Sequence, residues 1–202
     1  MFKLQTLLVA STCLLLDGAL SLAQSNLPDL GTGVFEVSTR ILIDAPLETV
    51  WNTILDFPRY PDWNPFSRSQ VVCDDLFVPL ANQTAFEGAR IIINVQIPPL
   101  TPPVNRSTPS NLLHTQISFE NITHLQPDLH RVAWKQIDIP DIAVNATRWQ
   151  AVSTVGNQTL YESAEVYGGG LAGAVELLYG TGLQEAFDAQ GVALKALLEG
   201  TS

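Results

Sequence analysis

Basic residues are scarce in this 202-residue chain: ten lysines and arginines stand against twenty aspartates and glutamates, a net charge of −10. A surface of that sign repels polyanions, which argues against nucleic acid and anionic membranes as partners and leaves neutral, apolar or cationic ones. Cysteine is scarcer still. Cys13 lies in an N-terminal apolar stretch, so a chain processed after that stretch keeps Cys73 alone and has no disulfide to build its fold. Its neighbours Val71 and Val72 point to a buried strand thiol. His114, His124 and His130 are scattered and no cysteine pair joins them, so no metal-ligand spacing is present and no metal or cofactor is expected. A G-x-S-x-G elbow and a phosphate-cradling glycine loop are also missing; Gly168-Gly169-Gly170 reads as a strand-to-helix turn.

Residues 1–23 have the layout of a secretory signal peptide. Lys3 supplies the positive end, residues 4–16 the apolar core, and Ser21-Leu22-Ala23 a small-x-small cleavage site. Ser11, Thr12 and Asp17 interrupt the run, which is too short to span a bilayer. Five N-x-S/T sequons, at Asn82, Asn105, Asn121, Asn145 and Asn157, exceed what ten asparagines would supply by chance. The expectation is a secreted glycoprotein of the secretory lumen or beyond, without a stable membrane anchor. Residues 24–33 read as a loose lead-in and 34–200 as one domain, long enough for a substantial core.

The most informative stretch is residues 37–66. Alternation over 37–43 predicts a strand with one apolar face. Asp44 and Ala45 lead into Pro46, suited to a first helical turn, and Leu47, Val50, Trp51, Ile54 and Leu55 follow at helical spacing. Pro58 stops that helix, and residues 59–63 allow only a turn or two before Asn64-Pro65. This order, strand, Ala-Pro, V-W, then D-F-x-x-Y-P-x-W-N-P-F, resembles the opening of SRPBCC domains. Those are the polyketide cyclase/dehydrase and lipid-transport relatives of START domains and plant pathogenesis-related allergens. The resemblance implies an α+β helix-grip fold, with an antiparallel sheet of about six or seven strands. The sheet would curve round a long C-terminal helix, two short helices would follow the first strand, and a hydrophobic cavity would lie between sheet and helix. It implies no single function, because the same shell hosts carriers, receptors and cyclases.

Further strands are predicted over residues 67–73, 90–97, 113–125, 130–137, 146–155 and 159–167. Ile91, Ile93, Val95 and Ile97 share one face of their strand, and Arg90, Asn94 and Gln96 the other. A glycan on Asn121 would turn Ile117 and Phe119 to solvent unless a bulge shifts the register. Five prolines within residues 98–110 make an exposed, stiff loop, either a shield over the cavity mouth or a plain glycosylated loop. Residues 171–179 read as a short helix ended by Gly180, with Thr181 able to cap a second helix. In that second helix Leu183, Phe187, Leu194, Leu197 and Leu198 form the apolar stripe, and Gly191 hints at a close neighbour.

The final strand ends E-V-Y-G-G-G, similar to the family's E-x-F-x-G with Tyr167 in place of Phe. If Tyr167 faces inward as that position implies, Tyr161, Ser163 and Glu165 share its face. Glu165 is then a candidate general acid or base, with Tyr161 and His114 as further candidates. The plainer reading, and the favoured one, is that Glu165 binds a backbone N–H or an arginine near the sheet end. Candidate cavity walls are Trp63, Phe66, Ile91, Ile93, Val95, Trp134, Trp149, Tyr167, Leu183, Phe187 and Leu194. Two functions stay open. One is a monomeric secreted carrier of a lipid, sterol or polyketide-like molecule; the other is a cofactor-independent polyketide cyclase or dehydratase.

Overall fold

The computed structural model describes residues 23–200, so the expected leader lies outside the described residues except for Ala23. Seven strands form one antiparallel sheet in the order β1-β7-β6-β5-β4-β3-β2. They are β1 (Phe35–Ile43), β2 (Ser67–Cys73), β3 (Arg90–Gln96), β4 (Thr115–Gln126), β5 (Arg131–Gln136), β6 (Asn145–Val155) and β7 (Gln158–Gly168). Between β1 and β2 lie helix α1 (Leu47–Leu55) and a 3₁₀ segment (Phe57–Asp62); helix α2 (Ala172–Glu199) closes the chain. This is the helix-grip arrangement that the sequence predicts.

Pro46 sits one residue before α1 as its N-cap, with φ −61° and ψ 143°, and its carbonyl accepts from Thr49 and Val50 N–H at 2.9 and 3.1 Å. Val50, Trp51 and Ile54 are buried, the stripe expected from their spacing. In the 3₁₀ segment the Tyr60 hydroxyl donates to the Ile54 carbonyl at 2.6 Å, which lets the phenol sit in the core.

The strand phases follow the two-residue period with informative exceptions. Ile91, Ile93 and Val95 are buried as expected. Gln96, expected on the outer face, is fully buried as well. It donates to Thr115 Oγ1 at 2.7 Å and accepts from Asn111 N–H at 2.8 Å, so the connection to β4 covers it without leaving it unpaired. On β4 Phe119 does face outward, packing edge-on against Phe77, while Ile117 is 57% exposed at the rim of the sheet. The bulge comes later, between Ile122 and His124.

The C-terminal region corrects a prediction. Gly180 does not end a helix and Thr181 does not start one; α2 runs unbroken for 28 residues. Gly182 is needed for a close approach: a Cβ there would stand 3.0 Å from Ile97 Cγ2 and 3.3 Å from Pro98 N. Gly191 answers to the same cause, since a Cβ would meet Thr39 Oγ1 at 3.2 Å. Gln184 and Lys195, on the polar side of the stripe, bond the edge of β1 through Ser38 and Leu42 carbonyls, both at 2.7 Å. That occupies an open strand edge as well as fixing the helix.

Residues 98–110 are pinned rather than free. Arg68 donates to the carbonyls of Asn64 and Asn105, both at 2.7 Å, Arg106 pairs with Asp62 at 2.8 Å, and Val104 is buried. The lead-in has no helix or strand, yet it is not loose. Asn26 N–H donates to Glu162 at 2.7 Å, its amide nitrogen bonds Leu129 and Val152 carbonyls, and its amide oxygen accepts from Arg131.

Candidate ligand cavity

A cavity of about 230 Å³ lies between the concave face of the sheet and the N-terminal half of α2. Phe66, Ile93, Val95, Trp134, Tyr167 and Leu183 line it. Its edge is apolar too, since the lining residues Ile117 and Ile139 are 57% and 41% exposed. None of residues 98–110 lines it. That loop instead walls a second pocket of about 360 Å³ against Trp63 and the C-terminal half of α2, so it does not shield the main cavity.

Several expected wall residues lie elsewhere. Ile91, Phe187 and Leu194 are fully buried in the core beside the cavity. Trp63 faces the second pocket. Trp149 is on the convex face, 4.8 Å from the His124 ring. The two-residue period explains this: Ala146 and Arg148 line the cavity and Gln150 is buried, so Trp149 must point away. His114 ends the turn before β4, within 3.3 Å of Asn111 Nδ2, and does not line the cavity. Tyr161 is buried beneath it, donating to Gln150 at 2.6 Å and accepting from Gln190 at 2.9 Å. Glu165 does reach the cavity.

Arg148 is one cavity residue that sequence reasoning missed. It stands opposite Trp134 on one neighbouring strand and Glu165 on the other, so it shares their inward face. That cross-strand register was the available signal, once Trp134 was taken as inward. The guanidinium donates to Ser163 Oγ at 3.1 Å and Gln190 Oε1 at 3.2 Å. Its carbon lies 4.1 Å from the Phe187 ring centroid, 5.1 Å from Phe66 and 5.8 Å from Trp134. An aromatic cage of this kind contributes on the order of 2 kcal/mol to a desolvated cation and offsets part of its burial.

Two carboxyls share the cavity with it. Burial, then the charge of Glu165, lifts Glu120 from 4.5 to about 8, against the pull of Ser118 and Arg148. Burial also raises Glu165, opposed by Arg148 and the Tyr167 hydroxyl. Tyr167 is pushed well above its ordinary value by its own burial and by Glu165. At neutral pH Glu120 is therefore a neutral acid, able to donate a hydrogen bond or a proton. Ser118 Oγ donates to Glu120 Oε1 at 2.7 Å. Glu120 Oε2, Gln70 Nε2 and Ser67 Oγ, on three side chains that line the cavity, are buried with no partner. Gln70 and Ser67 were not expected here; the bulge between Ser67 and Ser69 on β2 hides their phase in the sequence.

No family model matches the chain, and no curated protein does. Solved structures do. A START superfamily protein from Mycobacterium smegmatis is 16% identical, with 83% of this chain and 99% of that one covered and a TM-score of 0.53. A hypothetical protein from Helicobacter pylori is 11% identical over 87% and 99% of the two chains, with a TM-score of 0.61. A major latex-like protein from Panax ginseng is 10% identical over 81% and 97%, with a TM-score of 0.56. At these identities the likeness is one of fold: an antiparallel sheet wrapped round a long C-terminal helix.

Proposed function

We propose that this protein binds a small hydrophobic molecule in the cavity between its sheet and α2. The observation that carries the reading is the cavity itself, about 230 Å³ of space walled by Phe66, Ile93, Trp134 and Leu183. Protein interiors pack to crystal-like density, so space of this size calls for an occupant. An apolar cavity of ~150 Å³ holds a benzene, and drug-sized ligands use ~300–1,000 Å³. The volume therefore favours a compound of one or two rings over a sterol or a long acyl chain.

We further propose that the protein is secreted and N-glycosylated and works as a monomer. The leader and the sequons support this, and Asn82, Asn105, Asn145 and Asn157 are exposed. Asn121 differs: with its amide nitrogen turned toward the Gly88 and Ala89 carbonyls, it donates to them at 2.9 and 3.1 Å.

The second reading, a cyclase or dehydratase, is favoured by one observation. Glu120, Glu165, Tyr167 and Arg148 converge on the same cavity, and Glu120 holds a transferable proton. Native mass spectrometry of the secreted protein tests the binding reading. Wild type should carry an apolar molecule, and Ile93→Trp should fill the space and abolish it while the protein stays folded. A wild type that carries nothing, with an Ile93→Trp variant that merely unfolds, means the core is solid and there is no pocket. Glu165→Gln separates the classes. A carrier keeps its ligand, whereas an acid–base enzyme binds it and loses turnover by about 10²–10⁴-fold.

A further inference from the structure

Buried polar atoms in folded proteins almost always have partners, and each one left without a partner costs about 1–3 kcal/mol. Three such atoms occur on one wall of the cavity: Ser67 Oγ and Gln70 Nε2 on β2, and Glu120 Oε2 on β4. Their residues are only 2%, 3% and 8% exposed. The strand register brings Gln70 and Glu120 to a diagonal across β3, with Ser67, opposite Val95, further along the wall. Gln70 faces Ile93, Ile93 faces Ser118, and Glu120 is two residues further along the same face of β4.

What this wall presents is mostly donors. Gln70 Nε2 can only donate, and the Ser67 hydroxyl can donate. Glu120 Oε1 already accepts from Ser118, and an ionised Oε2 would be a buried anionic oxygen without a partner. Such an oxygen is far more stable protonated, and then it too is a donor. Arg148 is committed elsewhere, to Ser163, Gln190 and its aromatic cage. A carboxylate ligand would therefore meet Glu120 and Glu165 with little to balance its charge. A plain hydrocarbon would leave all three polar atoms unpaired.

We infer that the cavity is a site for a neutral, one- or two-ring compound with a carbonyl oxygen, a ketone, lactone or quinone, held by Gln70 and Glu120. This rests on the binding reading above and narrows it to one chemical class. The complement is a single acceptor oxygen at the β2–β4 wall, with an apolar skeleton against Phe66, Trp134 and Leu183.

The test compares 1-tetralone with tetralin, two probes of one bicyclic skeleton that differ by a carbonyl, and adds 1-naphthoate as an anion. Binding is read by titration calorimetry on the full secreted protein. Tetralone should bind on the order of 10–100-fold tighter than tetralin, because a site with built-in donors rejects the analogue that lacks the acceptor. The double variant Gln70→Leu/Glu120→Leu should lose that preference and bind tetralone and tetralin alike. If the double variant does not fold, Gln70→Leu alone should still cut the tetralone advantage. Equal binding of tetralone and tetralin by wild type overturns the carbonyl inference and leaves the pocket standing. Naphthoate bound more tightly than tetralone overturns it as well. If none of the three binds, the pocket reading falls and takes this inference with it.

Discussion

Raising the pH from about 5 to about 8 should destabilise this protein, and Glu120 sets the size of the effect. In the unfolded chain a glutamate titrates near 4.5; folded, Glu120 keeps its proton to about 8, because burial and the neighbouring Glu165 disfavour its charge. Between those values the folded state holds a proton that the unfolded state has released. Stability then falls by about 1.4 kcal/mol per pH unit for each such group. Over the whole interval Glu120 alone accounts for a loss on the order of 5 kcal/mol. That is a ceiling, since a carboxylate in the cavity would draw in water. Against a total stability of about 5–15 kcal/mol it is a large fraction. Glu165, raised by burial, adds in the same direction.

The carboxylates shifted the other way do not act in this window. Hydrogen bonding from Arg106 lowers Asp62, and Asp44 N–H with Lys195 lowers Glu199 despite its burial. Their stabilisation is complete above the unfolded value and is lost only as the pH falls below it. Urea unfolding at intervals from pH 5 to pH 8 measures the slope, with a constant m-value as the check on two-state behaviour. Glu120→Gln keeps the shape and removes the titrating proton, so its profile should be flatter by about one proton, near 1.4 kcal/mol per unit. A wild type whose stability is flat or rising over this range refutes the reasoning. So does a Glu120→Gln profile parallel to the wild type.

Two glycines two residues apart in α2, on different sides of the helix, should respond oppositely to alanine. Gly180→Ala meets only Glu176 Cγ at 3.4 Å, gains up to ~1 kcal/mol of helix propensity and should raise Tm by about 2–4 °C. Gly182→Ala presses on Ile97 and the Pro98 backbone and should lower Tm, with overpacking of about 1–3 kcal/mol outweighing the same gain. Thermal scans of both variants decide it, and a rise in both would show that α2 has slack where close packing is claimed. Glycopeptide mapping of the secreted protein should find sugar at Asn82, Asn105, Asn145 and Asn157 but not at Asn121, whose amide is engaged with Gly88 and Ala89. Full occupancy at Asn121 would count against the packing of the loop before β3.

Much of the fold was legible because its signals are local. The prolines at 46 and 58 and the spacing of Val50, Trp51 and Ile54 bound α1 without knowledge of anything distant. The clean alternation of β3 likewise needed only the pleat of a strand. What could not be read depends on long-range partners. A glycine at 182 looks the same whether it ends a helix or admits a neighbour, and the neighbour here is Pro98, more than eighty residues earlier. Trp149 looked like a cavity wall because large aromatics are usually inside. Its strand presents Arg148 inward instead, and that choice is stable only with Ser163, Gln190 and three aromatic rings assembled from other elements.

The polar groups of the concave face fall into two sets, and the division separates scaffold from site. Arg148, Ser163, Gln190, Tyr161 and Gln150 form a connected network in which Gln190 bonds both Arg148 and Tyr161, at 3.2 and 2.9 Å. Apart from Gln150 Nε2, none of its side chains has a buried polar atom without a partner. A network so nearly complete needs nothing further; it holds α2 to β6 and β7 at one orientation and keeps the aromatic floor in place. Ser67, Gln70 and Glu120, on the opposite wall, have polar atoms that nothing in the protein answers. Folding alone would favour apolar side chains at these three positions, because an unpaired buried polar group is worse than a hydrocarbon of the same shape. A bound ligand, as proposed above, would supply the partners that Gln70 and Glu120 lack.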